Sequence, residues 1–218
     1  MSSSAVILAG GCSNRLGRDK GLLRLANKPL VSHVLDAVKS IVNEKIVVVS
    51  SRVQKENYAR VINSNAAIIV DKSHVEGVHG PLIGALAGFE EAHGEYSLLL
   101  PCDTPFASKE VLLLLLDLAL GKNAAIPRWP NGYVEPLQAA YRTKAALKVS
   151  KIALEEDESN VQSMISRLTS VRYVSTLVIQ QLDSQFKTFF NVNTLSDLRK
   201  AEALARGLRS IPRAGKAN

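Results

Sequence analysis

The chain has 218 residues, of which 46% are hydrophobic and 22% charged, with a net charge of +7. This length suits one domain or at most two, and the composition excludes wholesale disorder. No apolar run approaches the roughly 20 residues of a membrane helix, and the N-terminus lacks the pattern of a secretory signal peptide. We therefore expect a soluble, cytoplasmic protein with no membrane partner. Two cysteines, Cys12 and Cys102, are too few for a disulfide scaffold or a typical zinc site.

The positive charge is concentrated in two segments. Residues 1–30 and 206–218 each carry a net charge of +4, so the rest of the chain is close to neutral. There is no broad basic face and no interleaving of aromatic and basic residues, which argues against nucleic-acid binding. Small phosphorylated substrates suit the basic segment near the N-terminus better.

Apolar segments alternate with segments of helical periodicity along the whole chain. In the first half, this pattern predicts strands at residues 5–9, 46–49 and 67–70, and helices at 29–42 and 56–62. In the second half, it predicts helices at 80–92, 108–120, 143–153 and 194–206, strands at 96–100, 124–126 and 189–193, and irregular structure at 131–141. Capping boxes are predicted at Ser159 with Gln162 and at Thr194 with Asp197.

Buried apolar strands that alternate with helices are typical of a mostly parallel sheet covered on both faces. In such folds, ligands bind beyond the carboxyl ends of the strands. Three predicted strands end at residues with useful chemistry, namely Gly10-Gly11, Asp71 and Asp103. The sequence therefore predicts one ligand site formed by these three strand ends.

The first strand is followed by a glycine-rich loop, with the sequence LAGGCSNRLGRDKG at residues 8–21. Glycines after a strand allow backbone amides to face a polyphosphate, whose charge Lys20 and Arg15 can balance. The loop has neither the Walker A spacing nor the Gly-x-Gly-x-x-Gly spacing of dinucleotide-binding proteins. A glycine-rich turn alone can also be purely structural.

The complete loop sequence resembles the signature loop of the MobA-like nucleotidyltransferases. Further segments match in the family's order: residues 22–30, GPLIGAL at 80–86, LLLPCDTPF at 98–106, EPLQAAY at 135–141 and FFNVNT at 189–194. The resemblance covers residues 5–206 and is greatest to the molybdenum cofactor guanylyltransferase branch. It implies a Rossmann-like three-layer α/β/α fold of the nucleotide-diphospho-sugar transferase type. We expect a single domain at residues 1–206 and a basic, flexible tail at 207–218.

The resemblance implies transfer of GMP from GTP to the phosphate of molybdopterin, with Mg²⁺ as cofactor and pyrophosphate as the second product. It also leaves room for contact with other proteins of the molybdenum cofactor pathway. Two alternatives stay open. One is cytidylyl or guanylyl transfer to another phosphorylated acceptor, and the other is a nucleotide-binding module without catalytic activity.

The resemblance also implies roles for individual residues. The catalytic residues would be Lys20, Arg15 and Asp103, with Asp103 as the metal ligand. The nucleotide-binding residues would be Leu8, Ala9, Gly10, Gly11, Lys20, Asp71, Gly80 and Asp103. Asn191 and Asn193 would bind the acceptor, and their spacing on a strand puts both on one side. The structural alternatives are a turn role for Asp103 and the asparagines, and a solvated side chain for Lys20.

Other positions carry weaker predictions. Ser50 and Ser51 lie where the guanylyltransferases commonly have an asparagine that contacts the base. Gly84 and Gly88 make one face of their helix small, either to admit a flat base or to pack tightly on the sheet.

The segment that contains Glu135 matches the part of the family that completes the acceptor pocket. Trp129 lies nearby in the sequence and could line the same pocket. The structural alternative for Trp129 is a simple surface position.

Overall fold

A computed structural model describes residues 2–10, 12–13, 18–62, 65–71 and 80–209. Two predicted site residues, Gly11 and Arg15, lie outside the described residues, as does most of the predicted tail. Within the described residues, none of the helices is both long enough and apolar enough to cross a membrane.

The described residues form one central sheet of seven strands. In chain order, the strands are β1 (Ser3–Leu8), β2 (Glu44–Val49), β3 (Ala67–Val70), β4 (Tyr96–Pro101), β5 (Ala124–Arg128), β6 (Ala139–Arg142) and β7 (Val171–Ser175). Their order across the sheet is β7-β5-β6-β4-β1-β2-β3. β6 runs antiparallel to both of its neighbours, and the other pairings are parallel. The mostly parallel Rossmann-like fold predicted from the sequence is confirmed.

Helices connect the strands and cover the sheet. They are α1 (Leu30–Val38), α2 (Arg52–Ala59), α3 (Pro81–Glu91), α4 (Lys109–Ala119), α5 (Thr143–Glu155), α6 (Val161–Arg167), α7 (Thr176–Ile179) and α8 (Leu195–Arg209). Single turns of 3₁₀ helix lie at Lys20–Leu22 and Lys187–Phe189. α8 extends beyond the predicted end at residue 206. The predicted Ser108 cap of α4 and the Thr194–Asp197 capping box are both present.

Side chains alternate between the two faces of a strand, and helices cover both faces of the central strands. On β1, Ile7 packs in the core on one side of the sheet, together with residues of α1 and α4. Its neighbour Val6 packs in a second core on the opposite side, with residues of α3 and α5. This placement confirms the helical layer on each face.

α3 packs unusually close to the sheet at Gly88. A Cβ atom added there would lie 2.1 Å from Cγ1 of Val6, which is far inside van der Waals contact. Val6 is fully buried in the middle of the sheet. Tight helix–sheet packing, one of the two interpretations of the small helix face, therefore explains this glycine.

Two of the sequence predictions near the C-terminus are wrong. Residues 189–193 do not form a strand, because the chain makes a 3₁₀ turn at Lys187–Phe189 and then continues as irregular backbone. α6 is capped by Asn160, whose side chain accepts from the amide of Ser163, and not by Ser159.

The sequence also failed to predict two strands. β6 lies at the end of the segment expected to be irregular and forms the antiparallel strand between β4 and β5. β7 forms one edge of the sheet, and most of its residues are solvent-exposed or only partly buried. Its sequence therefore lacks the apolar run that indicated the other strands.

Candidate active site

The candidate site lies at the carboxyl ends of β1 and β4, where the strand order reverses direction. The backbone beyond each strand is still held by its neighbour. The amide of Ala9 donates to the carbonyl of Val48 at 2.7 Å, and the amide of Cys102 donates to the carbonyl of Leu8 at 3.0 Å. These bonds bring the start of the glycine-rich loop beside the Cys102-Asp103 segment.

Three polar side chains from distant parts of the sequence meet at this edge. Lys20 Nζ lies 3.4 Å from Asp103 Oδ2 and donates to Asn193 Oδ1 at 2.6 Å. The amide of Val192 donates to the carbonyl of Asp103 at 2.9 Å, so the C-terminal segment is fixed directly to the end of β4. The structure thus brings together three of the residues predicted for one site.

The environment of Asp103 is suited to a positively charged partner. Its side chain is only 13% exposed, and burial raises the pKa of its carboxyl while the charge of Lys20 partly offsets that rise. A buried carboxylate of this kind is stabilised by a cation or by hydrogen-bond donors. The side chain of Asn191, in contrast, is exposed and makes no hydrogen bond with the described residues. The prediction that both asparagines face one side of a strand is wrong, because no strand forms there.

Leu8 and Asp71 both lie close to Gly84 of α3. A Cβ atom at Gly84 would lie 3.2 Å from Leu8 Cδ2 and 3.8 Å from Asp71 Oδ2. Asp71 directly follows β3, and its amide donates to the carbonyl of Val49 at 2.8 Å. α3 therefore packs closely on the end of β1 at Gly84, beside the predicted nucleotide-binding carboxylate of Asp71.

Gly80 has a packing role in the structure. It precedes α3 with φ of +157°, and an added Cβ atom would lie 2.4 Å from the carbonyl oxygen of Ser159. The amide of Leu82 donates to the same carbonyl at 3.2 Å. The start of α3 is therefore fixed against the loop that precedes α6.

The two serines after β2 make structural hydrogen bonds. The hydroxyl of Ser50 donates to the carbonyl of Gly10 and lies 3.0 Å from Gln54 Oε1, which accepts from the Ser50 amide at 2.9 Å. The hydroxyl of Ser51 caps α2 by accepting from the amide of Gln54 at 3.1 Å. The two side chains therefore have structural roles, Ser50 at the start of the glycine-rich loop and Ser51 as the cap of α2. They do so at the positions where an asparagine that contacts the base was expected from the guanylyltransferases.

Sequence reasoning missed a buried network next to Lys20. Both carboxylate oxygens of Asp19 are used. Oδ1 accepts from the hydroxyl of Tyr58 at 2.5 Å and from the amide of Gly21 at 3.2 Å, and Oδ2 accepts from Gln54 Nε2 at 2.8 Å. Burial raises the pKa of Asp19, and these three donors act against that rise. The only signal in the sequence was an acid immediately before the lysine of the loop.

Gly21 and Cys102 fill the space around this network. A Cβ atom at Gly21 would lie 2.2 Å from the hydroxyl oxygen of Tyr58 and 3.1 Å from Cys102 Sγ, so only glycine fits without movement. Cys102 is buried, and burial raises the pKa of its thiol. It is therefore kept protonated and acts as a small packing residue.

An aromatic cleft lies near the end of β5. Its volume is about 310 Å³, and its lining includes Trp129, Glu135, Phe186, Phe189 and Phe190. The ring of Trp129 is 5.0 Å from that of Phe186 and 5.7 Å from that of Phe189, measured between centroids. Trp129 Nε1 donates to Glu135 Oε1 at 2.7 Å, while burial raises the pKa of Glu135. Trp129 is thus a wall of a cleft that also contains a carboxylate.

Comparison with known proteins places the chain in a family. Residues 5–172 match the family described as MobA-like NTP transferase domain. The chain is a member of this family. Among curated relatives of this MobA-like transferase, a probable molybdenum cofactor guanylyltransferase of Methanosarcina mazei is 34% identical over 89% of the chain and 88% of the relative. One of the same name from Bacillus mycoides is 29% identical, over 91% and 95%.

The fold of the MobA-like transferase is also similar to solved structures. Molybdopterin-guanine dinucleotide biosynthesis protein A from Archaeoglobus fulgidus aligns with a TM-score of 0.77 and 26% identity, covering 94% of this chain and 99% of that protein. The family resemblance drawn from the sequence motifs is therefore confirmed, and with it the class of enzyme, a nucleotidyltransferase.

Proposed function

We propose that the protein transfers GMP from GTP to the phosphate of molybdopterin and releases pyrophosphate. The observation that carries this proposal is the meeting of Lys20, Asp103 and Asn193 at the carboxyl edge of the sheet. Relatives named molybdenum cofactor guanylyltransferase support the choice of nucleotide and acceptor.

We assign the nucleotide to the edge formed by β1, β3 and the start of α3. The residues assigned to it are Leu8, Ala9, Gly10, Gly11, Lys20, Asp71, Gly80 and Asp103. Backbone amides after β1 suit the phosphates. Asp71 directly follows β3 at the same edge of the sheet, and its carboxylate can accept hydrogen bonds from guanine or ribose.

The residues present fit a magnesium ion. Mg²⁺ prefers oxygen ligands and uses one or two carboxylates, completing its shell with water and substrate phosphates. Asp103 supplies a buried carboxylate at the centre of the site, and no group of three acidic, histidine or cysteine residues occurs among the described residues to form an all-protein cage. When bound, the ion neutralises negative charge on the phosphates. We therefore assign Asp103 as its ligand.

The chemistry needs positioning and charge neutralisation more than proton transfer. An oxygen of the acceptor phosphate attacks the α-phosphorus of GTP in line, a P–O bond forms, and the bond to the β-phosphate breaks as pyrophosphate leaves with its electron pair. The acceptor phosphate is already an anion, so no general base is required. Lys20 and Arg15 bind the phosphate oxygens and offset the charge of the transition state. Asn193, with Asn191, would hold the acceptor.

The aromatic cleft suits the heterocycle of the acceptor. Trp129 and Phe186 line the cleft with aromatic rings that can pack against a heterocycle, and Glu135 adds a carboxylate that can accept from ring N–H donors. Asn193 follows Phe190 of the cleft by three residues and contacts Lys20, so the same segment connects the cleft to the carboxyl edge of the sheet.

Pyrophosphate release tests the proposal. The purified protein is incubated with Mg²⁺, molybdopterin and each of GTP, CTP, ATP and UTP, and the dinucleotide product is identified by mass spectrometry. We expect turnover with GTP that stops when Mg²⁺ is chelated. Equal or faster turnover with CTP would contradict the choice of base. Nucleotide binding without turnover would favour a non-catalytic module.

A further inference from the structure

The glycine-rich loop is attached to one helix on both of its sides. Before the loop, Ser50, which directly precedes the Ser51 cap of α2, donates to the carbonyl of Gly10. After the loop, Asp19 accepts from Gln54 and Tyr58 of α2. The described ends of the loop therefore share one support, although α2 lies more than thirty residues further along the chain.

Helix geometry explains why Gln54 and Tyr58 act together. They are four residues apart and therefore lie on the same face of α2, one turn from each other. Tyr58 is completely buried, so its hydroxyl is held by packing, and it also lies 3.4 Å from the carbonyl of Ala9. Gln54 is held in turn because its Oε1 accepts from the amide of Ser50 at 2.9 Å. Both donors reach Asp19 from side chains that have little freedom to move.

The position of Lys20 depends on this network. Asp19 caps the 3₁₀ turn that begins at Lys20 and accepts from the amide of Gly21, so the residues on both sides of the lysine are fixed. From this fixed backbone, Lys20 reaches Asp103 and Asn193.

We propose that Asp19, Gln54 and Tyr58 are positioning residues that hold Lys20 in place to bind the polyphosphate of the nucleotide. The inference rests on the proposed function in taking a nucleoside triphosphate as the ligand. None of the three needs to touch the substrate, because each acts through the backbone on which Lys20 stands. Loss of one bond in the network should therefore weaken phosphate binding while the rest of the fold persists.

Isothermal titration of inorganic pyrophosphate and of GTP into the purified full-length protein tests this. Tyr58→Phe keeps the buried ring and removes only the hydroxyl, and we expect pyrophosphate affinity to fall about tenfold, as for a hydrogen bond to a charged group. Tyr96→Phe is the matched control. Tyr96 is also buried, and its hydroxyl accepts from the amide of Gly121 at 3.0 Å. It lies at the start of β4, at the opposite end of that strand from the candidate site. The thermal unfolding temperature should fall in both variants, whereas the affinity for pyrophosphate should fall only in Tyr58→Phe.

A paired exchange separates positioning from general stability. Asp19→Asn and Gln54→Glu each disturb the pairing of the two side chains, and we expect each to weaken pyrophosphate binding. In the double variant the introduced amide can donate to the introduced carboxylate, so affinity should recover towards that of the wild type. Wild-type affinity in Tyr58→Phe, or no recovery in the double variant, would overturn the inference and leave the proposed function standing. A wild-type protein that binds neither GTP nor pyrophosphate would overturn both.

Discussion

Replacing Gly88 by alanine tests how closely α3 must approach the sheet. The added Cβ atom would lie 2.1 Å from Cγ1 of Val6, whereas non-bonded carbons prefer about 3.5–4.0 Å. Val6 is β-branched and fully buried, so it cannot turn away, and the helix must move. Overpacking costs about 1–3 kcal/mol, and so short a contact falls in the upper part of that range, at about 2–3 kcal/mol. The higher helix propensity of alanine returns about 1 kcal/mol.

We therefore expect Gly88→Ala to lower the free energy of unfolding by about 1–2 kcal/mol, measured by urea titration. In a chain of this size, each kcal/mol corresponds to about 2–4 °C in Tm. Gly207→Ala is the control, because Gly207 lies in α8 and an added Cβ atom would have no other atom within 4 Å outside its own helix turn, so the change should be neutral or stabilising.

A double-mutant cycle identifies the contact responsible. Val6→Ala removes both methyl groups that the new Cβ atom would meet, so the double variant should be more stable than the sum of the single effects by about 0.5–3 kcal/mol. A neutral or stabilising Gly88→Ala, or additive effects in the cycle, would refute the argument that these two residues set the distance between helix and sheet.

Three further predictions follow from the site and from the opposite end of the sheet. Lys20→Met should lower kcat for pyrophosphate release by about 10²–10³-fold with the fold intact, and an unchanged rate at saturating GTP would exclude a catalytic role. Trp129→Leu should raise KM for molybdopterin about tenfold and leave KM for GTP unchanged. An equal rise in both KM values would contradict the assignment of the cleft to the acceptor. Burial alone would raise the pKa of Glu44, but hydrogen bonds from the Ser4 hydroxyl and the Gly94 amide help to hold it below its ordinary value of 4.5. Its carboxylate therefore stabilises the fold at neutral pH and less as pH falls through that lowered pKa. Glu44→Gln should cost about 1 kcal/mol near pH 7 and less in acid, and a cost that grew in acid would contradict the sign.

The sequence predicts the central half of the fold well because these strands are buried on both faces. β1, β2 and β4 consist largely of apolar residues, and no solvent-exposed face obscures the pattern. β7 is different, since Arg172 and Tyr173 are both solvent-exposed on this edge strand and interrupt any apolar run. β6 is only four residues long, too short for periodicity to distinguish it from the turn that precedes it.

The residues of the candidate site could likewise be located from the sequence only in part. Asp103 and Asp71 were located correctly at strand ends, because the carboxyl ends of parallel strands meet at one edge. The segment around Asn193 was predicted wrongly, since its alternating pattern resembles a strand. Its backbone is instead held by the end of β4, where the amide of Val192 donates to the carbonyl of Asp103. The network of Gln54 and Tyr58 could not be predicted, because it depends on where α2 packs after the chain has folded.

The separation of Lys20 and Asn193 by 173 positions has a consequence for biosynthesis. A ribosome adds about 5–20 residues per second, so Asn193 is made roughly 5–20 s after Asp103. β1 to β4 can leave the exit tunnel and begin to pair during this interval, and Lys20 and Asp103 with them. The residues assigned to the nucleotide, the last of which is Asp103, are then present before Asn193, which is assigned to the acceptor. Nucleotide present during translation would therefore bind the nascent chain before the acceptor side of the site is complete.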